Sequence, residues 1–433
     1  MVFSAPRAAL LAILALAAAL RFTGLGWGLR HPPHMDERVF VENVFEMMRA
    51  GDLDHRYYEY PGLAFYLLWP LLRPLADEGP VRAAYLLARG LVAVFGVLGC
   101  ALLYPLGRRL HSQAAGLLAA ALMAVCVVAV ETAHMFRPDV ILQALCALAL
   151  LAFAHLDGSR RAEARAGAAL GLAMAAKFSG VFLVPSYLAA RSLAPGPRVV
   201  RVLLGGAVAA LAFALASPYA LLHLPEFVQG VQVQLRYHYQ EQARSGVGYG
   251  AMLLEYAGVW AEGLGLAGLV LSLVGLREAL RAWRRWLPAL LLAVVSLAVL
   301  PTSDVRHDRF LLPALTTGCL LAGAGAAALA RAAAPALRAS PGVACFLAGV
   351  LMVAGPLRAS ASYAREMSEP LTRDILLDWV AANVPARARV LSSVPLLGLD
   401  PERHDVLALP RLEAGNRVQV LDADVVLSTG ADA

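Results

Sequence analysis

The feature that most constrains the fold of this chain is a succession of apolar segments, rich in Leu, Ala and Val, that are separated by short polar connections. Most of these segments are long enough for an α-helix to cross the hydrocarbon core of a bilayer, which takes about 17 to 25 residues. The strands of an outer-membrane barrel would instead alternate apolar and polar residues over about ten positions. The sequence therefore predicts an all-α polytopic membrane protein.

The composition also fits a membrane protein and excludes an ordinary soluble domain. The chain is 60% hydrophobic and 16% charged, with a mean hydropathy of +0.64, whereas about 25% of the residues of a soluble domain are charged. The net charge of +6 comes almost entirely from arginines, with Lys177 as the one lysine. These arginines cluster in short connections, which indicates membrane topology rather than nucleic-acid binding. The five cysteines lie in apolar runs without CxxC spacing, so neither a disulfide framework nor a zinc site is expected.

About eleven spans are predicted. Residues 8–20, behind Arg7, resemble a cleavable signal peptide; we favour an uncleaved first span that continues to about Leu29, in which Arg21 snorkels to the outer surface. The other ten spans are predicted at about 81–105, 114–132, 138–156, 166–177, 179–193, 202–218, 252–275, 287–301, 310–330 and 342–358.

The arginine-rich connections fix the orientation of these spans. By the positive-inside rule they are cytoplasmic, and they cover 107–109, 158–165, 197–201, 277–285 and 331–338. Residues 166–193 must then cross twice, as two short helices with Lys177 at their outer tip. The same alternation places four polar stretches on the outer side, namely the loop with Asp36 and Glu37, 131–139, 217–250 and 302–309.

Two domains are predicted, a membrane domain over 1–358 and a small extracytoplasmic α/β domain over 359–433. The membrane domain includes a structured first outer loop, 30–80, and a second outer loop, 218–250. Helices are expected at 37–48, 225–242 and 372–383, and strands at 390–393 and 424–427. The apolar stretch 63–72 is too short to cross the bilayer, so it either lies in the interface or re-enters.

Asp36 and Glu37 are the sharpest chemical signal. A carboxylate at a membrane surface can act as a general base toward a hydroxyl, and a neighbouring carboxylate can hold an acceptor. The alternative is that Asp36 caps the helix that follows, because anionic groups favour a helix N-terminus. His31 and His34 beside Asp36 leave a divalent metal site open, although their spacing matches no fixed ligand signature. No cofactor is otherwise implied.

Three further outer positions carry charge suited to a phosphate or a sugar. Arg137 and Asp139 flank Pro138 at a helix start, and they bind either a ligand or each other. Lys177 offers a compact ammonium for phosphate, unless its retention is chance. Arg306 and Arg309 lie where the positive-inside rule disfavours arginine, so they serve an anionic ligand or form salt bridges with Asp304 or Asp308.

Together these motifs resemble the GT-C superfamily of glycosyltransferases, in particular its bacterial members related to protein O-mannosyltransferases and aminoarabinose (lipid A) transferases. The resemblance rests on Arg21 at the end of the first span, Asp36-Glu37, Tyr60-Pro61-Gly62-Leu63, Phe136-Arg137-Pro138-Asp139, Lys177-Phe178-Ser179-Gly180 and Arg309-Phe310-Leu311-Leu312-Pro313. It implies a GT-C fold in which Asp36 is the general base and Glu37 its neighbour in the acceptor site. Lys177 and Arg309 would hold the donor phosphate, and Arg137, Asp139, His307 and Tyr60 would bind substrate. Gly62 departs from the usual second proline.

The implied reaction moves a hexose or pentose from a polyprenyl-phosphate donor to an acceptor hydroxyl, with inversion at the anomeric carbon. The acceptor is a protein, a lipid or a glycan, and the enzyme is expected in a bacterial inner membrane with its site on the extracytoplasmic side. The alternative function is a multi-pass transporter or lipid flippase. Transporters place ionisable residues near the bilayer midplane and show paired repeats, whereas here the charges gather at one surface and no internal repeat is evident.

Overall fold

The computed structural model describes residues 5–30, 33–241, 248–303, 305–392, 405–408 and 424–427. The chain divides into two compact units, the first formed by Met1–Leu25 and His34–Glu366 and the second by Gly26–Pro33 and Met367–Ala433. The first unit is helical, as predicted. Its helices are α1 Ala5–Phe22, α2 Met35–Ala50, α3 Leu63–Leu72, α4 Arg82–Leu110, α5 Gln113–Ala124, α6 Val127–Thr132, α7 Pro138–Phe153, α8 Arg160–Ala176, α9 Leu183–Leu193, α10 Arg198–Ala216, α11 Tyr219–Leu222, α12 Leu224–Arg236, α13 Tyr249–Arg281, α14 Trp283–Val299, α15 Leu312–Ala333 and α16 Pro341–Glu366.

Six helices in the described part of the chain are long and apolar enough to cross a membrane. They cover Arg82–Leu110, Arg198–Ala216, Tyr249–Arg281, Trp283–Thr302, Asp308–Ala333 and Pro341–Glu366. Shorter apolar helices at Leu63–Leu75, Gln113–Ala124 and Pro138–Phe153 accompany them. A multi-pass protein is therefore confirmed, and the count of eleven spans stays a prediction.

Helix α15 forms the centre of the first unit, and it packs against α13 through glycine. A Cβ atom on Gly275 of α13 would lie 1.8 Å from the carbonyl oxygen of Leu321, and one on Gly325 of α15 would lie 1.9 Å from that of Leu271. Small residues let two apolar helices approach to backbone contact, where dispersion forces are strongest. Helix α13 also bends at Gly265, whose φ of 67° is left-handed.

The span predicted at 114–132 is broken between α5 and α6, and distant side chains donate hydrogen bonds to the backbone carbonyls at the break. Arg21 donates hydrogen bonds to the carbonyl oxygens of Met123 (3.0 Å) and Ala124 (2.8 Å), and Ser360 donates to that of Val125 (2.9 Å). The expectation that Arg21 snorkels outward is wrong, because its side chain is buried against these carbonyls. The first helix likewise ends at Phe22 rather than near Leu29, and turns follow it.

The hairpin tip and the surface helix predicted between α8 and α13 are present, and their side of the membrane stays a prediction. Helix α8 ends at Ala176, Lys177 is extended, and a 3₁₀ turn at Phe178–Phe182 leads into α9, so the predicted hairpin tip at Lys177 is confirmed. Helix α12 continues as a π-helical turn, Tyr237–Glu241, where the sequence predicted one helix over 225–242.

The second unit contains helix α17, Thr372–Asn383, and a three-stranded parallel sheet. Its strands are β1 Arg389–Ser392, β2 Asp405–Ala408 and β3 Val425–Leu427, in the order β2-β1-β3. The helix and two of the strands match the predicted ones, and β2 was not predicted. The unit begins at Met367 rather than at 359, because α16 runs unbroken to Glu366.

Candidate active site

Asp36 lies in the first turn of α2. The cap of this helix is His34, whose Nδ1 accepts a hydrogen bond from the backbone N–H of Asp36 at 3.1 Å. Asp36 is therefore not the capping residue, although its charge favours the positive end of the helix. The sequence left a metal site open at His31, His34 and Asp36. His34 uses one ring nitrogen in this cap, and His31 lies outside the described residues. Within those residues no group of three or more His, Cys, Asp or Glu side chains has the geometry to hold a metal ion.

Glu37 is turned away from Asp36 and is fully buried. Its carboxylate accepts hydrogen bonds from Nε (2.8 Å) and Nη2 (2.7 Å) of Arg89 on α4, and from the backbone N–H of Phe136 at 2.9 Å. The structure thus does not bring Glu37 to the acceptor side of Asp36, where the sequence placed it. It fixes α2 against α4 and against the loop before α7.

Five charged residues that are far apart in the sequence form one ion cluster. Arg137 Nε lies 2.8 Å from Asp36 Oδ2, and Lys177 Nζ lies 2.6 Å from Asp139 Oδ1. Arg309 links the two pairs, since its Nη2 is 3.7 Å from Asp36 Oδ2 and its Nε is 3.8 Å from Asp139 Oδ2. Arg137 therefore pairs with Asp36 rather than with its sequence neighbour Asp139. We call these five residues the ion cluster.

The ion cluster carries more positive than negative charge. Three cations face two carboxylates, and Asp36 is the more exposed carboxylate, at 36% of its side chain against 5% for Asp139. Burial lowers the pKa of Lys177, and Asp139 opposes that shift. Burial, with Arg309 and Arg137 nearby, lowers the pKa of His307 to about 4. His307 is therefore neutral at pH 7 and adds no charge beside the cluster.

Aromatic rings surround the cations. Lys177 Nζ lies 4.4 Å from the ring centre of Phe310, and the Arg309 guanidinium carbon lies 5.3 Å from it, which are cation–π distances. Tyr60 packs against Phe40, with ring centres 5.2 Å apart. Burial, together with Asp139 and Asp36, raises the pKa of Tyr60, so its hydroxyl keeps its proton and can donate a hydrogen bond to a ligand.

Arg306 lies apart from the ion cluster. It forms ion pairs of 2.8 Å with Glu255 and with Asp308, so the salt-bridge interpretation holds for this arginine. Asp304 lies outside the described residues.

Two connected spaces adjoin the ion cluster. A cavity of about 470 Å³, here called the polar cavity, is lined by Asp36, Tyr60, Arg137, Lys177, His307 and Arg309, among others. A second space of about 240 Å³, here called the apolar groove, shares Tyr60, Lys177 and Phe310 with it and continues between apolar side chains, which include Val181, Phe182, Leu235, Val299 and Leu300. Lys177 therefore lies where a polar space meets an apolar one.

Sequence reasoning missed three residues that line both spaces, namely Glu59, Gln234 and His238. Gln234 donates to Glu59 at 3.0 Å, and His238 Nδ1 lies 2.9 Å from Ser303 Oγ. The available signals were the aromatic run Tyr57–Tyr60 and the glutamine-, tyrosine- and histidine-rich stretch at 225–242. Neither has a spacing that indicates a particular chemistry.

Comparison with known proteins gives a match to one family model and matches to several solved structures. The sequence model of the family described as "Dolichyl-phosphate-mannose-protein mannosyltransferase" matches residues 63–221. Comparison with curated proteins gave no match.

Several solved structures are similar to this chain. ArnT from Cupriavidus metallidurans, bound to undecaprenyl phosphate, has a TM-score of 0.59 and 17% identity over 96% of this chain and 89% of that chain. AglB, an archaeal oligosaccharyltransferase from Archaeoglobus fulgidus in complex with an inhibitory peptide and a dolichol-phosphate, has a TM-score of 0.56 and 12% identity over 93% and 64%. The arabinofuranosyltransferase AftD from Mycobacteria has a TM-score of 0.51 and 18% identity over 94% and 32%. These chains share their fold with this one.

Proposed function

We propose that this chain, a member of the GT-C superfamily related to mannosyltransferases and aminoarabinose transferases, is an inverting glycosyltransferase. It moves a sugar from a polyprenyl-phosphate donor to an acceptor hydroxyl on the extracytoplasmic face of a bacterial inner membrane. The observation that carries the proposal is the ion cluster, with its net positive charge, at the junction of the polar cavity and the apolar groove.

This junction suits a lipid phosphate. An isoprenoid chain would lie in the apolar groove, and its phosphate would meet Lys177 and Arg309, whose side chains are each about one-sixth exposed. Charge-assisted hydrogen bonds from ammonium and guanidinium groups are the strong contacts of phosphate sites. ArnT binds undecaprenyl phosphate and AglB binds dolichol-phosphate, which supports a donor of the same kind here.

The reaction is a single displacement. Asp36 takes the proton of the acceptor hydroxyl, whose oxygen attacks the anomeric carbon from the side opposite the phosphate. The bond from the anomeric carbon to the phosphate oxygen breaks, and its electron pair leaves with the polyprenyl phosphate. One displacement inverts the anomeric centre. Lys177 and Arg309 stabilise the charge that grows on the leaving phosphate, an effect worth about 3 to 4 kcal/mol per donor in comparable sites.

Two arginines hold the base next to the donor site. Asp36 Oδ2 lies 2.8 Å from Arg137 Nε and 3.7 Å from Arg309 Nη2. The same guanidinium groups can contact the donor phosphate, so the base and the leaving group share their cations. Asp139 positions Lys177, and Glu37 positions the first turn of α2.

Replacement of Asp36 by asparagine tests the base. Full-length protein in detergent is assayed with a panel of radiolabelled polyprenyl-phosphate hexoses and pentoses and a total membrane extract as acceptor. Asp36→Asn should lose about 10²- to 10⁴-fold in turnover, the usual contribution of a general base, with donor binding retained. Glu46→Gln, an exposed carboxylate of the same helix, is the matched control. Full activity of Asp36→Asn would exclude Asp36 as the base.

A further inference from the structure

We infer that a separate cavity on the outer side of the first unit is the acceptor subsite, and that the acceptor is a neutral glycan. The inference rests on the proposed function, because it names the acceptor of that reaction. The cavity has a volume of about 440 Å³ and is formed by the loop before α3 and by helix α12. It is here called the acceptor cavity.

The acceptor cavity opens toward the proposed base. Tyr57, Glu59 and Val233 line both this cavity and the polar cavity, where Asp36 lies. Burial and the nearby Glu59 carboxylate raise the pKa of Tyr57, so the boundary between the two spaces is a pair of polar groups. A molecule bound in the acceptor cavity can thus extend a hydroxyl past Tyr57 toward Asp36.

Three side chains with flat rings, Tyr57, Tyr58 and His223, line the acceptor cavity. The ring of Tyr58 stacks on His223, with centres 5.9 Å apart and planes 27° apart, and His223 stacks on Tyr219 at 5.8 Å and 17°. The hydroxyl of Tyr58 donates to Asp54 at 2.6 Å, which fixes the direction of its ring. The negative face of an aromatic ring attracts polarised C–H groups, and a pyranose ring presents such groups on its flat side.

The charge of the acceptor cavity selects against anions. Three carboxylates, Asp54, Glu59 and Glu226, line it with a single arginine, Arg56. That arginine is engaged, since it forms an ion pair with Asp52 and donates to the carbonyl oxygen of Asp54 at 2.8 Å. Carboxylates accept hydrogen bonds from hydroxyls and repel phosphate or carboxylate groups. A neutral molecule rich in hydroxyls fits this lining, whereas an anionic lipid does not.

The acceptor cavity is also rigidly built. A Cβ atom on Gly230 of α12 would lie 2.2 Å from the carbonyl oxygen of Tyr58, so the helix backbone packs directly on the loop. Arg56 adopts a left-handed φ of 54°, and its backbone N–H donates to Asp54 Oδ1 at 3.0 Å. Non-glycine residues in this conformation occur where surrounding contacts enforce it, often at ligand sites. The loop is therefore held ready for a ligand.

Glycan binding tests this subsite directly. Fluorescently labelled, full-length protein in detergent is applied to an array of neutral glycans, anionic glycans and serine- and threonine-containing peptides. We expect binding to neutral glycans, weakened at least ten-fold by Tyr58→Ala and by Glu226→Lys, the latter at an exposed position. Tyr249→Ala, an exposed tyrosine at the start of α13, is the matched control. Binding to anionic glycans or peptides alone, or neutral-glycan binding unchanged in both cavity variants, would overturn the inference.

The Asp36→Asn variant separates this inference from the proposed function. It should keep neutral-glycan binding and lose sugar transfer. Transfer to a peptide or an anionic lipid without binding of neutral glycans would overturn the inference and leave the proposed function standing. Neutral-glycan binding without transfer from any polyprenyl-phosphate donor would refute the proposed function, and the acceptor role with it.

Discussion

Replacement of Glu37 by glutamine distinguishes a positioning role from the acceptor-site role that the sequence suggested. The Glu37 carboxylate is fully buried and pairs with Arg89, which is 1% exposed, through two hydrogen bonds of 2.8 and 2.7 Å. Glutamine keeps the shape of the side chain but removes its charge. It takes the Glu37 charge away from the buried Arg89 guanidinium.

The expected loss in the free energy of unfolding follows from this burial. Removal of one partner of a buried ion pair costs about 3 to 5 kcal/mol, because the other charge stays uncompensated. Glutamine can still accept one hydrogen bond from Arg89 or from the Phe136 N–H, so Glu37→Gln should lower the free energy of unfolding by about 3 kcal/mol. Glu37→Leu combined with Arg89→Leu should recover part of the loss, since an apolar pair needs no counter-charge but leaves the Phe136 N–H without its acceptor.

The assay is unfolding by SDS in mixed micelles, followed by tryptophan fluorescence, with turnover measured in parallel. Glu42→Gln is the matched control, because Glu42 lies on the same helix in an exposed ion pair with Arg38 and should cost about 1 kcal/mol or less. Glu37→Gln with wild-type stability and a hundred-fold loss of turnover would refute the positioning role and return Glu37 to the acceptor site.

Three further predictions follow from the geometry. Lys177→Ala should weaken binding of polyprenyl phosphate about 10- to 100-fold, the value of a charge-assisted hydrogen bond, while Arg306→Ala should leave it unchanged. The affinities are measured by displacement of a labelled lipid phosphate. Equal affinities of the two variants would remove Lys177 from the donor site. Gly275→Ala should lower the free energy of unfolding in SDS by about 1 to 3 kcal/mol, because the added Cβ meets the Leu321 carbonyl. Gly258→Ala on the same helix, with open space around it, should be neutral or stabilising. Equal effects of the two substitutions would contradict the close packing. The folded-state pKa of His307, about 4, lies below its ordinary value of 6.5. The unfolded chain therefore binds the extra proton, and the free energy of unfolding should fall as pH drops from about 6.5 to about 4. His307→Gln should make that fall shallower, and an unchanged slope would argue against the lowered pKa.

The convergence of the ion cluster could be predicted from sequence, but its pairing could not. Alternation of arginine-rich loops placed Asp36, Arg137, Lys177 and Arg309 on one side of the membrane. Which carboxylate holds which cation depends on side-chain reach between elements that are remote in the chain. The sequence therefore offered a pair of Arg137 with Asp139, whereas Arg137 pairs with Asp36.

The direction of Glu37 is beyond local sequence for a geometric reason. Adjacent residues of an α-helix point about 100° apart, so Asp36 and Glu37 meet different neighbours: Asp36 lines the polar cavity, and Glu37 contacts Arg89. The choice between them is made by Arg89, which lies on another helix. Likewise, the apolar run of residues 114–132 has neither glycine nor proline at the break between α5 and α6, so the sequence gives no sign of that break.

The break between α5 and α6 links the completion of the fold to the order of synthesis. The carbonyl oxygens of Met123 and Ala124 accept hydrogen bonds from Arg21 on α1, which precedes them in the chain, but that of Val125 accepts from Ser360 on α16, more than 200 residues after it. An unsatisfied carbonyl in hydrocarbon costs several kcal/mol. During synthesis, the carbonyl of Val125 therefore gains its partner only once α16 has been made.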